Sequence, residues 1–589
     1  MMDVFFATES RPAGGAAFDQ VLIASGAALV LTTVLLVLGL GHRTGRLPVL
    51  GRLAGLARKP GGEGLPGWAA LPSALALVSL VTALLGMYWD ISLHITHGRD
   101  EGPLANIAHY PILIGLFGIF ASGMVAIVLP LHERPGPVPV KITRSWYAPT
   151  GGVLLAGAGF YALLGFPLDD VWHRIFGQDV TLWGPTHLML IGGAGLSLVA
   201  LMILEHEGRA TGTQASPALG YLRRVAICGG LLIGLSVFQA EYDFGVPQFR
   251  LVHQPMLIAL AAGCALVVAR LWGGRGAAVC AVLFYMLVRG GVSILVGPVI
   301  GQLTPSVPLY LVEALCVELL ALALLRRELL FGVASGIAIG TVGFAAEYGW
   351  SQVAMVLPWD HDMVVEGVLM AVAGGVAGGV LGALLSLALQ GRLPRPAVSR
   401  TLFAGSLGLV AVAVTNGLIL NVPQDVTAQV TLDGANATIT FSRPFDDPTW
   451  VTVTGWQGDG LHVDRLTRTG PATYRTNEPM PLDGDWKTLI RVHDGRTLAG
   501  VPVFLPEDEA IGAGELAAAP RFTRPLQSEK SILQRELKQD VPGWLWGVAC
   551  LVVLACTLIL VTALGWGATR ISRGIRREEQ HAAEVRSGS

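Results

Sequence analysis

A chain of 589 residues that is 52% hydrophobic and 14% charged, with 75 glycines and a mean hydropathy of +0.58, is far from a soluble domain and close to a helical membrane bundle. A formal net charge of -2, with no zinc-finger or arginine-rich segment, excludes nucleic acid as a partner class. The six cysteines all lie inside apolar runs and form neither a C-x-x-C pair nor a C-x-x-C-H haem attachment, so they read as small buried hydrophobes.

Apolar runs long enough to cross a bilayer lie near 20–41, 67–88, 106–130, 147–166, 183–204, 218–240, 251–272, 275–296, 306–326, 329–348, 363–390, 401–421 and 541–566. The first follows about twenty mixed residues and is long enough to span, so it reads as a retained helix and not a cleaved signal. Arg43, Arg46, Arg52 and Arg58 follow the first run, Lys141 and Arg144 the third, and Arg223 and Arg224 the fifth. The bias continues on alternate loops with Arg270 and Arg275, Arg326 and Arg327, Arg392 and Arg395, and the tail from Arg570 to Arg577. By the positive-inside rule these loops are cytoplasmic, which puts the N terminus outside and the C terminus inside. The expected location is the bacterial plasma membrane.

Residues 424–506 change to short alternating runs around an Asp433-Gly434 turn. The predicted fold is an all-α polytopic bundle of about thirteen spans with internal helix-pair repeats, carrying a small extracytoplasmic β-sandwich before the last helix. Its expected parts are a bundle over 1–421, the sandwich over 422–507, an amphipathic linker over 508–540 in which 526–538 has helical spacing and leads into the last span, and a final helix with a basic tail over 541–589.

The chemistry-bearing feature is a repeat. The loop after the second run contains Asp90, His94, Gly98, Asp100 and His109, and the loop after the fourth contains Asp169, His173, Gly177, Asp179 and His187. Both follow D-x3-H-x3-G-x-D-x7or8-H, in equivalent loops on one side of the membrane, which points to duplication of a two-helix unit. Asp and His four apart share a helix face. Two later outer loops look like degenerate copies, with Glu241, Asp243 and His253, and with Glu347, Asp360, His361 and Asp362. Helix caps and interface anchors would explain single residues, and Trp89, Trp172, Trp183 and Trp359 fit an aromatic belt. Capping does not require histidine, and anchoring does not require a shared register.

Arg289, Glu313, Glu318 and Glu366 fall inside spans, where an ion pair between Glu313 and Arg289 would pin two helices. The inner halves of the third, seventh and eleventh runs are nearly free of polar side chains, which describes a polar chamber open to the outer face and sealed below. The Gly374-Gly375 and Gly378-Gly379 pairs read as close-packing positions.

Over its first 200 or so residues the W-D-x3-H…G-R-D…H pattern resembles a group of bacterial multi-pass membrane proteins with no assigned activity. Gly484-Asp485-Trp486-Lys487 and Val501-Pro502-Val503-Phe504 are similar to extracytoplasmic sandwiches of the FixH and YtkA type, a resemblance that implies copper handling or oxidase assembly. The β region offers only His462, His493 and Met480 as soft or borderline ligands, which departs from copper carriers. The D-x3-H element also resembles the helix-borne site of copper membrane monooxygenases.

Mixed imidazole and carboxylate donors suit copper, zinc, or non-haem iron or manganese. The leading expectation is a metal-dependent (copper or non-haem iron) membrane oxidoreductase with Asp90, His94, His109, Asp169, His173 and His187 as ligands, and with His253 and His361 as further candidates. Asp100, Asp179 and Glu241 would orient imidazoles or move protons. Copper is the first cofactor choice, and haem b between His109 and His187 is an alternative. Competing classes are a copper acquisition or delivery protein for oxidase assembly and an accessory subunit of a membrane complex. Expected partners are membrane lipid, respiratory or metal-handling membrane proteins, and further copies of the chain.

Overall fold

The computed structural model describes residues 18–58, 64–100, 102–131, 134–177, 181–211, 217–533, 538 and 541–587. Helices α1 (Phe18–Arg43) and α2 (Val49–Arg58) precede the pair α3 (Gly67–Thr96) and α4 (His109–Val128). A two-stranded ribbon, β1 (Val140–Lys141) with β2 (Tyr147–Ala148), leads into the second pair, α5 (Thr150–Phe176) and α6 (Pro185–Thr211). There follow α7 (Pro217–Ser236), the single turn α8 (Ala240–Asp243), α9 (His253–Val268) and α10 (Ala277–Ile294). Then come α11 (Leu311–Leu324), α12 (Glu328–Ala338), α13 (Phe344–Ala354), α14 (Val364–Leu389) and α15 (Pro396–Leu418). Among the described residues, 12 helical runs are long and apolar enough to cross a membrane.

The run expected to span 306–326 is broken. Residues 303–310 form no helix, because Pro305 and Pro308 cannot continue one, and α11 has only 14 residues. Irregular backbone at this depth is tolerable only where its polar groups are satisfied inside the protein. They are: Ser306 N–H donates to Asp243 O, the Ser293 hydroxyl to Pro305 O and the Trp350 indole to Val307 O. The Glu347 carboxylate accepts from Leu309 N at 2.9 Å and Tyr310 N at 2.7 Å, capping the exposed start of α11. The segment still joins opposite ends of the bundle, since Gln302 lies against Thr96 and Glu328 pairs with Arg392.

Tight helix packing follows from glycine. A methyl on Gly378 would collide with the Leu260 carbonyl of α9, and one on Gly379 with the Gly332 carbonyl of α12, so α14 packs backbone to backbone on both sides.

The β region comprises β3 (Thr427–Asp433), β4 (Asn436–Phe441), β5 (Trp450–Trp456), β6 (Leu461–Arg465), β7 (Thr467–Arg468), β8 (Thr473–Arg475), β9 (Lys487–Asp494), β10 (Thr497–Phe504), β11 (Arg521–Pro525) and β12 (Gln527–Ser528). They form two five-stranded antiparallel sheets, ordered β12-β10-β9-β5-β6 and β11-β3-β4-β8-β7. Val430 and Ile439 of one sheet and Val453, Ile490, Val492 and Val501 of the other share one apolar core. Asp433 pairs with Asn436 across a turn at Gly434, which takes φ 60°.

The linker over 508–540 carries strands as well as the expected helix, which over 526–538 starts only after β12. β11 and β12 complete the two sheets because alternate residues from Arg521 to Ser528 fit open edges of β3 and β10, and helix is confined to α16 (Glu529–Leu533) among the described residues there. The chain then enters α17 (Gly543–Ser587).

The β region sits on the end of the bundle where α3 stops and α9 starts. Gln457 N–H donates to Ile95 O at 3.0 Å, Asp459 N–H to Thr96 O at 3.1 Å, and Arg99 grips Asp508. Arg250 reaches Gly495 O, and Arg491 inside the β region reaches Pro247 O. The arginine-rich loops are at the other end, where Arg43 and Arg570 donate to backbone carbonyls and Arg270 pairs with Glu318.

Candidate metal centre

Each repeat unit builds its site in the same way. α3 carries Asp90 and His94 on one face of its last turns, and α5 carries Asp169 and His173. Both helices are stopped by the repeat's glycine, Gly98 at φ 94° and Gly177 at φ 83°, a left-handed region that favours glycine. The chain then returns so that His109 and His187 stand in the first turn of the following helices.

In the first unit the imidazole Nε2 of His94 lies 3.5 Å from Asp90 Oδ1 and 3.4 Å from Asp100 Oδ2. His109 Nε2 lies 3.1 Å from Asp90 Oδ1 and 3.4 Å from Asp100 Oδ2. One donor atom from each of these four residues lies within 4.8 Å of all the others. In the second unit Asp169, His173 and His187 form a group on the same criterion, with Nε2 to carboxylate distances of 3.8 and 3.3 Å.

The remaining ring nitrogens decide what the inward ones can do. His94 Nδ1 lies 3.0 Å from Gly98 O, His109 Nδ1 2.9 Å from Pro103 O, and His187 Nδ1 2.7 Å from Thr181 O. A carbonyl only accepts, so each of these Nδ1 atoms carries a proton, and a ring giving up its other proton to a metal ion would turn the Nε2 lone pair inward. That is the second contact a metal-binding histidine requires. His173 Nε2 is buried and, among the described residues, has no hydrogen-bond partner. The carboxylates are steered as well: Asn106 donates to Asp90 at 2.6 Å and to Asp100 at 3.1 Å, and Thr186 donates to Asp169 at 2.6 Å.

A fit test is available from distances alone. Four donors held tetrahedrally at roughly 2.1 Å from one ion stand about 3.4 Å apart. The four imidazole–carboxylate separations of the first unit, 3.1–3.5 Å, match that spacing, and its other two donor pairs lie within 4.8 Å. Two carboxylates brought together without a cation between them would repel at a cost that this arrangement avoids when an ion is bound. The donor set is two imidazoles with two carboxylates in one unit and two imidazoles with one carboxylate in the other, without thiolate.

Both groups line one cavity of about 290 Å³, and Asp90 and His187 are within electrostatic reach of one another. Glu241 also lines it. Its Oε1 accepts from the Thr181 hydroxyl at 2.7 Å and from Leu182 N at 2.8 Å, so it fixes the loop whose carbonyl orients His187. Asp100, expected to orient an imidazole or move a proton, also stands among the donor atoms, 3.4 Å from both imidazoles. Asp179 lies outside the described residues.

The degenerate copies do not join these groups. His253 is buried against the rings of Trp183 and Phe249, at 4.9 and 5.9 Å between centroids, and among the described residues neither of its nitrogens has a hydrogen-bond partner. His361 is 92% exposed beside Asp362. Asp243 is buried in a network with Arg289 at 2.8 Å, Tyr88 at 2.9 Å and Gln239 at 2.7 Å. Arg289 therefore pairs with Asp243 and not with Glu313, because the non-helical segment before α11 places Glu313 beside Gly343. Glu318 pairs with Arg270, and Glu366 with Arg250.

Sequence reading did not single out Asn106 or Thr186. They sit at different offsets from the closing histidine, three before His109 and one before His187, so the repeat pattern does not contain them.

The fold and site define a polytopic helical membrane protein with a separate β-sheet region at one end and two His/Asp groups able to hold metal ions beneath it. Comparison with family models, with curated proteins and with solved structures gives no match.

Proposed function

We propose that this chain is a metal-dependent membrane oxidoreductase, with copper or non-haem iron held in paired His/Asp centres at the extracytoplasmic face. The observation that carries the reading is the convergence of Asp90, His94, Asp100 and His109, with Asp169, His173 and His187 lining the same cavity. The gathering of arginines at the opposite end supports an outside position for this face, with the C terminus cytoplasmic in a bacterial plasma membrane. The common core of the two sheets supports reading the β region as a sandwich of the FixH and YtkA kind.

Bound there, a redox-active ion would supply electron transfer and Lewis acidity next to an apolar space. The protein's part is to hold the imidazoles in one tautomer through Gly98, Pro103 and Thr181, to turn the carboxylates with Asn106 and Thr186, and to limit water entry by covering the site with β5. Among the described residues, the β region contributes no group of metal-binding side chains of its own, which favours chemistry in the bundle over a metal-carrier role for that region.

The test is metal analysis and electron paramagnetic resonance of the purified full chain after incubation with copper or ferrous iron. Two ions per chain are expected, with both lost in a His94→Ala plus His173→Ala variant. A wild-type chain that binds neither ion, leaving imidazolium–carboxylate pairs in place, would overturn the proposal. A Soret band would replace it with haem.

A further inference from the structure

The cavity under the His/Asp groups continues well past them. On α3 its wall is formed by Leu77, Leu80, Leu84, Met87, Ile91 and Ile95, which recur every three or four residues on the face that also carries Asp90 and His94. From Leu77 to Ile95 that wall is about 27 Å long at about 1.5 Å per residue. Leu190, Ile191, Ala194 and Leu198 of α6 form the facing wall, and Phe284 and Val288 of α10 close one side. Every lining residue from Leu77 to Met87 and from Leu190 to Leu198 is apolar or glycine, so all the polar groups are at one end.

Two boundaries fix how the space is reached. At the polar end, Thr454, Trp456 and Gln457 beside β5 and Leu533 of α16 form a roof, and Gln457 is tied to α3 by its bond to Ile95. At the side, Val81 lines the cavity and is also 41% exposed on the apolar surface of the bundle, where lipid would contact it. An apolar slot of this length left empty would forfeit the packing contacts of all its walls.

We propose that the slot binds a single-chain membrane lipid with a compact polar end, such as a fatty acid or a long-chain alcohol. It enters from the bilayer past Val81, lays its chain along α3, and presents its polar end to the His/Asp groups. The roof over the polar end favours a compact carboxylate or hydroxyl over a bulky phosphodiester headgroup. The assignment of the polar end as the reacting end rests on the metal-centre reading; the binding of the chain does not.

The experiment uses the full chain in vesicles of palmitoyl-oleoyl phosphatidylcholine and phosphatidylglycerol, with a trace of diazirine-tailed fatty acid in one arm and diazirine-tailed phosphatidylcholine in the other. After illumination, the fatty acid is expected to label peptides containing Leu84, Leu198 and Phe284. Val81→Trp at the exposed mouth and Ala194→Phe inside the slot should each lower that labelling roughly tenfold. Labelling at the lipid-facing Leu322 and the metal content should stay unchanged. Labelling confined to outward positions such as Leu287 and Leu322 would overturn the proposal, and so would labelling of the slot by phosphatidylcholine alone. Metal-free protein that still takes the fatty acid into the slot supports the lipid site while removing the metal reading.

Discussion

Thr181 holds His187: its carbonyl oxygen stands 2.7 Å from the ring Nδ1, six residues before the histidine in the chain. The first unit repeats the bond at the same separation, from His109 to Pro103 at 2.9 Å. A duplicated offset of this kind is a property of loop geometry, and it leaves both Nε2 atoms facing carboxylates.

Because Glu241 clamps Thr181, Glu241→Ala should loosen the second centre without touching the first. Loss of such an orienting contact lowers metal affinity by about 10–100-fold. Titration calorimetry should then show one of two binding steps weakened, with the other unaltered. Equal weakening of both steps, or of neither, would refute the positioning role.

Asp90→Ala should abolish binding at the first centre, since a single oxygen, Asp90 Oδ1, faces both imidazoles of that unit, at 3.5 Å from His94 Nε2 and 3.1 Å from His109 Nε2. His361→Ala should leave both steps intact, since the ring is 92% exposed and belongs to neither group. Metal analysis of the two variants side by side reads the contrast.

Arg289→Ala would strand the buried Asp243 carboxylate, which also accepts from Tyr88 and Gln239. Removing one partner of a buried pair costs about 3–5 kcal/mol. A marked fall in thermal midpoint is expected, with much of it recovered in Arg289→Met combined with Asp243→Asn. No change in midpoint would show that the pair is not buried in the native protein.

The seat of the β region should be acid-sensitive. His493 is buried against Trp450, accepts a hydrogen bond from Leu251 N at 3.3 Å, and is held neutral down to about 3 by burial, with Arg250 and Arg491 nearby adding to the effect and Glu366 opposing it. Below the ordinary value of 6.5 the unfolded chain takes a proton that the folded chain refuses, so stability is complete above that pH and is lost as pH falls toward 3. Between pH 6.5 and 5 the loss from this one group amounts to about 2 kcal/mol. Thermal unfolding across that range should show the decline, and His493→Phe should flatten it.

Much of the site was legible because its two halves are copies. Asp90 with His94 and Asp169 with His173 declare a shared helix face through spacing, and the closing histidines declare themselves by register. The glycines in the pattern were legible as positions but not as causes until Gly98 and Gly177 proved to take positive φ at helix ends. His253 and His361 illustrate the opposite case. They follow an acid in the same order as the members of the two groups, yet one is packed among aromatic rings and the other faces solvent.

The amino-acid order by itself determined where the apolar runs fall, which ends carry the arginines, and that a β-rich segment precedes the last helix, since each of these depends on local composition against the bilayer's thickness and charge preference. Only the tertiary structure decided that α11 is a half-helix capped by Glu347, that Asp100 stands among the donors, and that a slot runs beneath both groups. Those outcomes depend on side chains from helices far apart in the chain meeting in one place, and no local pattern encodes such a meeting.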